Sequence, residues 1–429
     1  MLDPKFIREN PDVVRKSLED RGDKVELLDK FLKLDDERRK VIQEVEDLKC
    51  KKNESSKKIG ELIKQKADVT EAKAEVKELS EKISALDENL RQIDEGYQGA
   101  LDRIPNVPHE SVPVGLDESA NTLVKEWGEK KEFSFEARDH LELGELNSLF
   151  DLERAAKITG SFFPLFTGAG AKLERSLINF MLDVHIKDHG YTEIFPPVLV
   201  NRKSMYGTGQ IPKLEEDMYR INEEDLFLIP TAEVPVTNFR ADETIDEERL
   251  PIYYTAYTAC FRREAGTYGK DTKGLIRVHQ FDKVEMVKFT TPETSMEEHE
   301  KLLKDAEDII QRLELPYRVL ILCTGDMSFA AHKCYDIELW APGSKRWLEV
   351  SSCSVFTDFQ ARRANIKYRP SDKSKKPGYL HTLNASGVAL PRLVISIMET
   401  YQNKDGSITI PEAIRPYFGA DIIEPSSLS

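Results

Sequence analysis

The chain has 429 residues, 40% of them hydrophobic, including 14 Tyr and 19 Phe, which is more than one ordinary domain and enough to bury a real core. A formal net charge of −15 excludes a protein that coats nucleic acid through bulk charge, so any RNA binding must come from local fields. No run of about 18 apolar residues is present, so no membrane-spanning helix is expected.

Charged residues make up 32% of the chain, above the roughly 25% usual in globular proteins, which points to long solvated helices. The opening MLDPKFIREN has no apolar h-region and does not read as a secretory signal. Cys50, Cys260, Cys323, Cys334 and Cys353 are scattered with no C-x-x-C pair. Neither a disulfide framework nor a zinc knuckle is expected, and a cytoplasmic setting is.

In chain order, the first clear pattern is Leu27, Phe31, Leu34, Arg38, Val41, Val45 and Leu48, continuing in phase through Lys52 and Ser55 to Ile59 and Leu62. A second series runs Val69, Ala72, Val76, Leu79, Ile83, Leu86, Leu90, Ile93, Tyr97, Ala100 and Ile104. Spacing that alternates three and four is the seam of a left-handed coiled coil. Two such segments joined by a short link near 65–70 predict an antiparallel helical hairpin, extending roughly 50 Å at about 1.5 Å per residue. Residues 49–66 carry seven lysines and two glutamates, and a second basic run spans 362–376. By charge alone each is a solvated face or a phosphate-contacting surface, and the hairpin is a structural coiled coil or a recognition arm.

Residues 105–119 contain three prolines and read as a linker. Beyond it, a helix is predicted over 171–189 and strands over 191–200, 226–229, 252–262 and 275–289, with the loop AGTYGKDTKG between the last two. A helix over 297–313, strands over 318–323, 336–341 and 346–354, and a helix over 391–401 follow. Strands outnumber crossover helices, which predicts an α+β fold with a mostly antiparallel sheet flanked by helices. Neither G-x-G-x-x-G after a strand nor G-x-x-x-x-G-K-[ST] occurs, so a nucleotide site must be built differently.

The densest chemistry lies in CFRREAGTYGKDTKGLIRVHQFDKVE, residues 260–285. Alternation by two predicts that Arg262 and Glu264 share one sheet face, and that Arg277, His279, Phe281, Lys283 and Glu285 share one as well. Arg263, between the first pair, should face away. An arginine fork, an acidic acceptor and an aromatic platform on one face suit a nucleotide, and the bland alternative is a charged solvent-facing sheet.

This stretch resembles motif 2 of the class II aminoacyl-tRNA synthetases, in wording close to the seryl branch. GYTEIFPPVLV (190–200) resembles motif 1 and is followed by the seryl-like TGQIPK; PTAEVP (230–235) resembles the branch's serine-binding segment. EVSSCS (349–354), DFQARR (358–363) and HTLNASGVALPR (381–392) complete the order, the last resembling motif 3. Ala389, Leu390 and Pro391 depart from the glycines and acidic residue common before the motif 3 arginine.

The resemblance implies an N-terminal tRNA-binding domain over 1–110, with its arm at about 25–104. It implies a class II catalytic domain over 111–429 with a six- to seven-stranded antiparallel sheet. Motifs 1, 2 and 3 then lie at about 190–200, 260–287 and 381–400. It implies an ATP-dependent ligase that forms seryl-adenylate and transfers serine to tRNA(Ser), and to tRNA(Sec) as well, acting as a homodimer with no membrane partner. Arg262 and Arg392 are then the catalytic pair. ATP binding falls to Arg262, Arg263, Glu264, Arg277, Phe281, Glu349, Val350, Ser351, Ser352 and Arg392. Serine binding falls to Thr231, Ala232, Glu233, Arg262, Glu285, Asn384 and Ser386. Glu349 and Ser352 supply hard oxygens for Mg²⁺. Lys51, Lys52, Lys57 and Lys58, near the arm's tip, are the expected tRNA contacts.

Overall fold

The computed structural model describes residues 1–264 and 273–426. The chain divides into two compact units, Leu2–Pro105 and Asn106–Ser429 together with Met1.

In the smaller unit, two short helices, α1 (Pro4–Glu9) and α2 (Pro11–Asp20), each open on a proline, whose missing N–H is unneeded in a first turn. They lead into α3 (Glu26–Lys64) and α4 (Thr70–Leu101), the two long helices of the hairpin. With 39 residues, α3 extends about 58 Å at 1.5 Å per residue. The seam predicted from the heptads is the covered one: Phe31, Val45, Ala72, Ile83, Tyr97 and Ala100 are buried, with exposed residues between them. At the base, Phe31 and Tyr97 pack with ring centroids 5.1 Å apart, and Arg38 reaches across to Asp94 at 2.5 Å. Toward the tip the seam carries Lys52 and Ser55, and burial falls away. Lys51, Lys57 and Lys58 are exposed there and Lys52 is half-buried.

The larger unit is organised by one eight-stranded sheet. Its strands are β1 (Thr122–Trp127), β2 (Thr192–Glu193), β3 (Ile252–Phe261), β4 (Gln280–Thr290), β5 (Tyr317–Ile321), β6 (Lys333–Ala341), β7 (Arg346–Val355) and β8 (His381–Ala389). Their spatial order is β1-β5-β6-β7-β8-β4-β3-β2, and every pairing is antiparallel except β2 with β3. Eight strands exceed the six or seven expected, and β1 and β8 are the two that no strand expected from the sequence covers. All of β1 is exposed, and β2 has two residues.

Helices α5 (Gly168–Lys187), α6 (Ser295–Arg312) and α7 (Leu390–Thr400) bury their apolar residues against the sheet. Val284 and Met286 of β4 belong to that core, so the intervening Lys283 and Glu285 point to the opposite face. That opposite face carries the cleft.

Several boundaries differ from expectation. The strand expected over 191–200 breaks into β2 and a separate segment, Leu199–Asn201, which pairs with Leu226–Leu228 in another sheet. Pro196 and Pro197 lie between them and have no N–H for a ladder. β3 stops at Phe261 and β4 begins at Gln280, both short of the predicted ends. Of the loop expected at 265–274, residues 265–272 lie outside the described residues.

Candidate active site

The cleft measures about 1180 Å³ and is lined from β4, β5, β6, β7, β8, the start of α7, the residues just beyond β3 and the segment Pro230–Glu233. Of the residues singled out from the sequence, Thr231, Glu233, Arg262, Glu264, Arg277, Phe281, Glu349, Val350, Ser352, Asn384, Ser386 and Arg392 all line it.

Arg262 and Glu264 reach the cleft by a route that strand alternation did not foresee. Beyond Phe261 the chain leaves strand geometry, and Glu264 has φ +49°, a left-handed conformation that turns its side chain. The Glu264 carboxylate accepts from Arg277 Nη1 at 2.9 Å. Arg262 Nε donates to the Pro230 carbonyl at 3.3 Å, and its guanidinium lies over the Phe281 ring, 5.3 Å from the centroid. A cation above an aromatic face, both open to one cleft, suits a phosphate joined to a planar base.

Glu349 and Ser352 are three residues apart, a spacing that puts side chains on opposite faces of a regular strand. The register between β6 and β7 shifts here: Ile337 pairs Ser351 and Glu338 pairs Glu349, leaving Val350 as the extra residue. This bulge turns Glu349 and Ser352 to the same side, where the Ser352 hydroxyl donates to Glu349 Oε1 at 3.1 Å. Arg392, one residue past Pro391 at the start of α7, donates through Nη1 to the Glu349 carbonyl at 2.8 Å and lies 3.3 Å from its carboxylate. The cleft walls oppose the charge of Glu349, but Arg392 and Arg262 and the Ser352 hydroxyl overcome this and hold its carboxyl, on a side chain 46% exposed, below the ordinary range. Asp336, across the ladder from Ser352, is pushed up by burial and by the Glu349 charge. One ionised carboxylate and a hydroxyl facing a cleft suit a divalent cation that takes its other ligands from phosphates and water. Among the described residues no cluster of three or more His, Cys, Asp or Glu offers an all-protein cage.

At the cleft's other end is a buried polar cluster. The Thr231 hydroxyl donates to Glu285 Oε2 at 3.0 Å and accepts from Lys283 Nζ at 2.8 Å and from the Glu233 N–H at 3.2 Å. Asn384 Nδ2 donates to Glu285 Oε1 at 2.9 Å, and Lys283 Nζ lies 2.5 Å from Glu285 Oε2. The Glu233 carboxylate accepts from Gln360 Nε2 at 2.6 Å, and Gln360 Oε1 in turn accepts from Thr382 at 2.7 Å. Burial and the Glu285 charge push the Glu233 carboxyl up to about 7.

Four expected residues stand away from the cleft surface. Ser351 turns back and donates to the Ser386 carbonyl at 2.6 Å, as the neighbour of the bulged residue must. Ala232 is fully buried in a secondary apolar cluster. Arg263 points outward, its N–H bonded to the Asp217 carbonyl and Nη1 to that of Glu216. Glu285 lies one layer below, its side chain 0% exposed, with Lys283 between it and the cleft. Lys283 and Gln360 were the residues missed. Lys283 shares the β4 face with Phe281 and Glu285, which was the available signal.

A mostly antiparallel sheet that gathers arginines, an aromatic ring and a carboxylate into one cleft is the architecture of the catalytic core of a class II aminoacyl-tRNA synthetase. Residues 213–401 match the family model of the tRNA synthetase class II core domain (G, H, P, S and T), and residues 1–108 match that of the seryl-tRNA synthetase N-terminal domain. The serine–tRNA ligase of Caldanaerobacter subterraneus subsp. tengcongensis is 55% identical over 423 residues, covering 99% of each chain. That of Geobacillus kaustophilus is 54% identical over 419 residues, covering 98% of this chain and 99% of its own. The crystal structure of seryl-tRNA synthetase from Pyrococcus horikoshii complexed with ATP superimposes with a TM-score of 0.94 at 39% identity over 100% of both chains. The cytoplasmic serine–tRNA ligase from Naegleria fowleri in complex with AMP gives 0.89 at 29% identity over 100% of this chain and 99% of its own. The chain belongs to the serine–tRNA ligase family.

Proposed function

We propose that the cleft binds ATP at its Arg262–Phe281–Arg392 end and serine at its Thr231–Asn384 end, and that the serine carboxylate attacks the α-phosphorus between them. The observation that carries this reading is the convergence of Arg262, Phe281, Glu349 and Arg392 on one cleft whose far end is the Thr231–Lys283–Glu285–Asn384 cluster. Pyrophosphate leaves, and the terminal ribose hydroxyl of the tRNA then attacks the seryl-adenylate. Neither step needs a covalent enzyme intermediate; positioned reactants and neutralised charge supply the rate.

Arg262 holds the α-phosphate and the charge that builds on it, and Phe281 stacks on the adenine. Glu264 accepts from the adenine amine, Arg277 steadies Glu264, and Arg392 covers the ring's other face and reaches the γ-phosphate. Glu349 and Ser352 hold Mg²⁺, which neutralises phosphate charge when bound. Glu285 takes the serine ammonium, with Asn384 and Ser386 forming the floor. A pocket built to pair a hydroxyl rejects alanine, because its own polar groups would be left unpaired.

Transfer is to tRNA(Ser), and to tRNA(Sec) as well, with the exposed lysines of the arm contacting backbone phosphates. The working form is a cytoplasmic homodimer joined through the 190–200 segment, where Phe195 is 83% exposed beside the sheet-edge strand β2. No helix among the described residues is long and apolar enough to cross a membrane.

The test is ATP–pyrophosphate exchange across the twenty amino acids, with Arg262→Ala as the control. Exchange driven by serine alone, and lost in a folded Arg262→Ala enzyme, is expected. Exchange driven equally by another amino acid, or near-normal activity in that variant, overturns the assignment.

A further inference from the structure

The Glu285 carboxylate assigned to the substrate ammonium is already occupied. Its Oε2 receives the Lys283 ammonium at 2.5 Å and the Thr231 hydroxyl at 3.0 Å, and its Oε1 receives Asn384 at 2.9 Å. The Glu285 side chain is 0% exposed and that of Lys283 6%, and Lys283 rather than Glu285 lines the cleft. An amino acid entering the cleft therefore meets a cation where its own cation must go. Two ammonium groups competing for one buried carboxylate repel each other, so one of them has to leave.

A second carboxylate stands near enough for the charge on the flexible lysine stem to act on it. Glu233 lines the same cleft, and its backbone N–H shares the Thr231 hydroxyl with Lys283 Nζ, at 3.2 and 2.8 Å. Gln360, fixed by Thr382, holds the Glu233 carboxylate in place. We propose that Lys283 is a placeholder for the substrate ammonium. Serine binds by displacing Lys283 from Glu285 onto Glu233, and Glu233 gives up a proton as the exchange is made. The inference rests on Glu285 being the serine ammonium site.

The charges balance. Before binding the cluster holds Glu285 as an anion, Lys283 as a cation and Glu233 protonated; serine arrives as a neutral zwitterion. Afterwards Glu285 pairs with serine, Lys283 pairs with ionised Glu233, and one proton is in solvent. The groups that face Glu233 are Glu285 and Lys283 from β4, Arg262 beyond β3, and Gln360 from the helix Phe359–Ala364. The Cys260 thiol of β3, among the same Lys283, Glu285 and Arg262, is pushed up by burial and stays neutral. Burial and the Glu285 charge together place the Glu233 carboxyl at about 7, so removing its proton is within reach of a nearby ammonium near neutral pH.

The experiment measures the serine KM of the full-length enzyme at saturating ATP between about pH 6 and 7.5, and counts protons by calorimetry of serine binding in two buffers. In the parent, KM should fall as pH rises, approaching about tenfold per unit at the acid end, the limit for one proton. Lys283→Met should flatten the profile and abolish proton release. Lys283→Gln, which keeps a donor toward Thr231, is the second variant should the first fail to fold. Glu233→Gln should raise the serine KM at least tenfold at every pH and flatten it, because Lys283 then has nowhere to go. A flat parent profile, or a slope that survives in a folded Lys283 variant, overturns the exchange. Glu285→Ala separates the two failures: an unchanged serine KM there overturns the assignment of Glu285 itself. A serine-specific rise together with a flat parent profile overturns only the placeholder.

Discussion

The Ser351 hydroxyl donates to the Ser386 carbonyl oxygen at 2.6 Å, joining β7 to β8 just beyond the last paired residues of their ladder, Cys353 and Ala385. The next β7 residue, Ser352, faces the cleft and Glu349 instead. Adjacent serines thus serve different ends, one holding a strand and the other the phosphate site. Ser351→Ala should destabilise the larger unit by about 1–2 kcal/mol, since it strips a buried carbonyl of its donor. Its effect on kinetics should appear in the serine KM through Ser386. Ser352→Ala should leave thermal stability unchanged and raise the requirement for Mg²⁺. Denaturation curves and a magnesium titration of exchange activity distinguish the two; equal behaviour of the pair would contradict their facing opposite sides of β7.

Glu285→Ala should raise the serine KM far more than the ATP KM, because its proposed partner is the amino acid. Truncating it also leaves Lys283 buried beside Thr231 without an anion. An uncompensated buried charge is strongly destabilising in either variant, but Glu285→Gln fills the site and keeps an oxygen to accept from Lys283 or Thr231, so it is the milder comparison. Equal rises in both constants would assign Glu285 to ATP or to structure.

His299 lies in α6, fully buried, its ring stacked on Tyr335 with centroids 5.1 Å apart and its Nε2 bonded to the Cys353 carbonyl at 2.9 Å. Burial pushes this imidazole down to about 4. The unfolded chain takes up the proton near 6.5 while the folded one does not. The contribution to stability is therefore full above pH 6.5 and lost as pH falls toward 4. At about pH 5.5 the loss from His299 is about 1.4 kcal/mol. His185 and His381, pushed down by burial to about 3 and about 4, add to it with the same sign. His299→Phe keeps the stack on Tyr335 and should make the fall in stability from pH 6.5 to 5 shallower by about one proton. Denaturant titrations at several pH values read this slope, and an unchanged slope removes His299 from the account.

The heptads were legible because a coiled-coil seam is a local property: Phe31, Val45, Ile83 and Tyr97 are buried at the phase their spacing demands. The edge strand Thr122–Trp127 was not, since with both faces exposed it has no alternation to read. Arg262, Phe281 and Arg392 were legible by resemblance, and the structure brings them to one cleft. How Glu264 and Ser352 reach it was not legible. One depends on a left-handed residue and the other on a register shift, and neither is encoded in spacing. The link between Lys283 and Glu285 was half visible, as two like-facing residues of one strand. That the lysine covers the glutamate depends on Thr231 and Asn384, which arrive from distant parts of the chain.

The two compact units make a last separation testable. The base of the arm is held by the Phe31–Tyr97 contact, the Arg8–Asp35 pair at 3.1 Å and the Arg38–Asp94 pair at 2.5 Å. Replacing residues 40–92 with a short linker keeps all three and removes only the distal hairpin, including Lys51, Lys52, Lys57 and Lys58. Every residue lining the cleft lies at or beyond Glu118, so serine-dependent pyrophosphate exchange should persist at near-parent rates. Transfer to tRNA should fall by orders of magnitude, because the proposed phosphate-contacting surface is gone. The milder change of those four lysines to glutamine tests the same surface without altering the seam, since three are exposed and only Lys52 touches it. Neutralising one phosphate-binding lysine holds back the release of a counterion, which lowers the slope of log affinity against log salt by about one unit. The quadruple variant should therefore bind tRNA more weakly at low salt and converge with the parent at high salt. Loss of pyrophosphate exchange in a folded distal deletion would make the arm part of the catalytic unit. Undiminished charging would reduce it to a structural coiled coil.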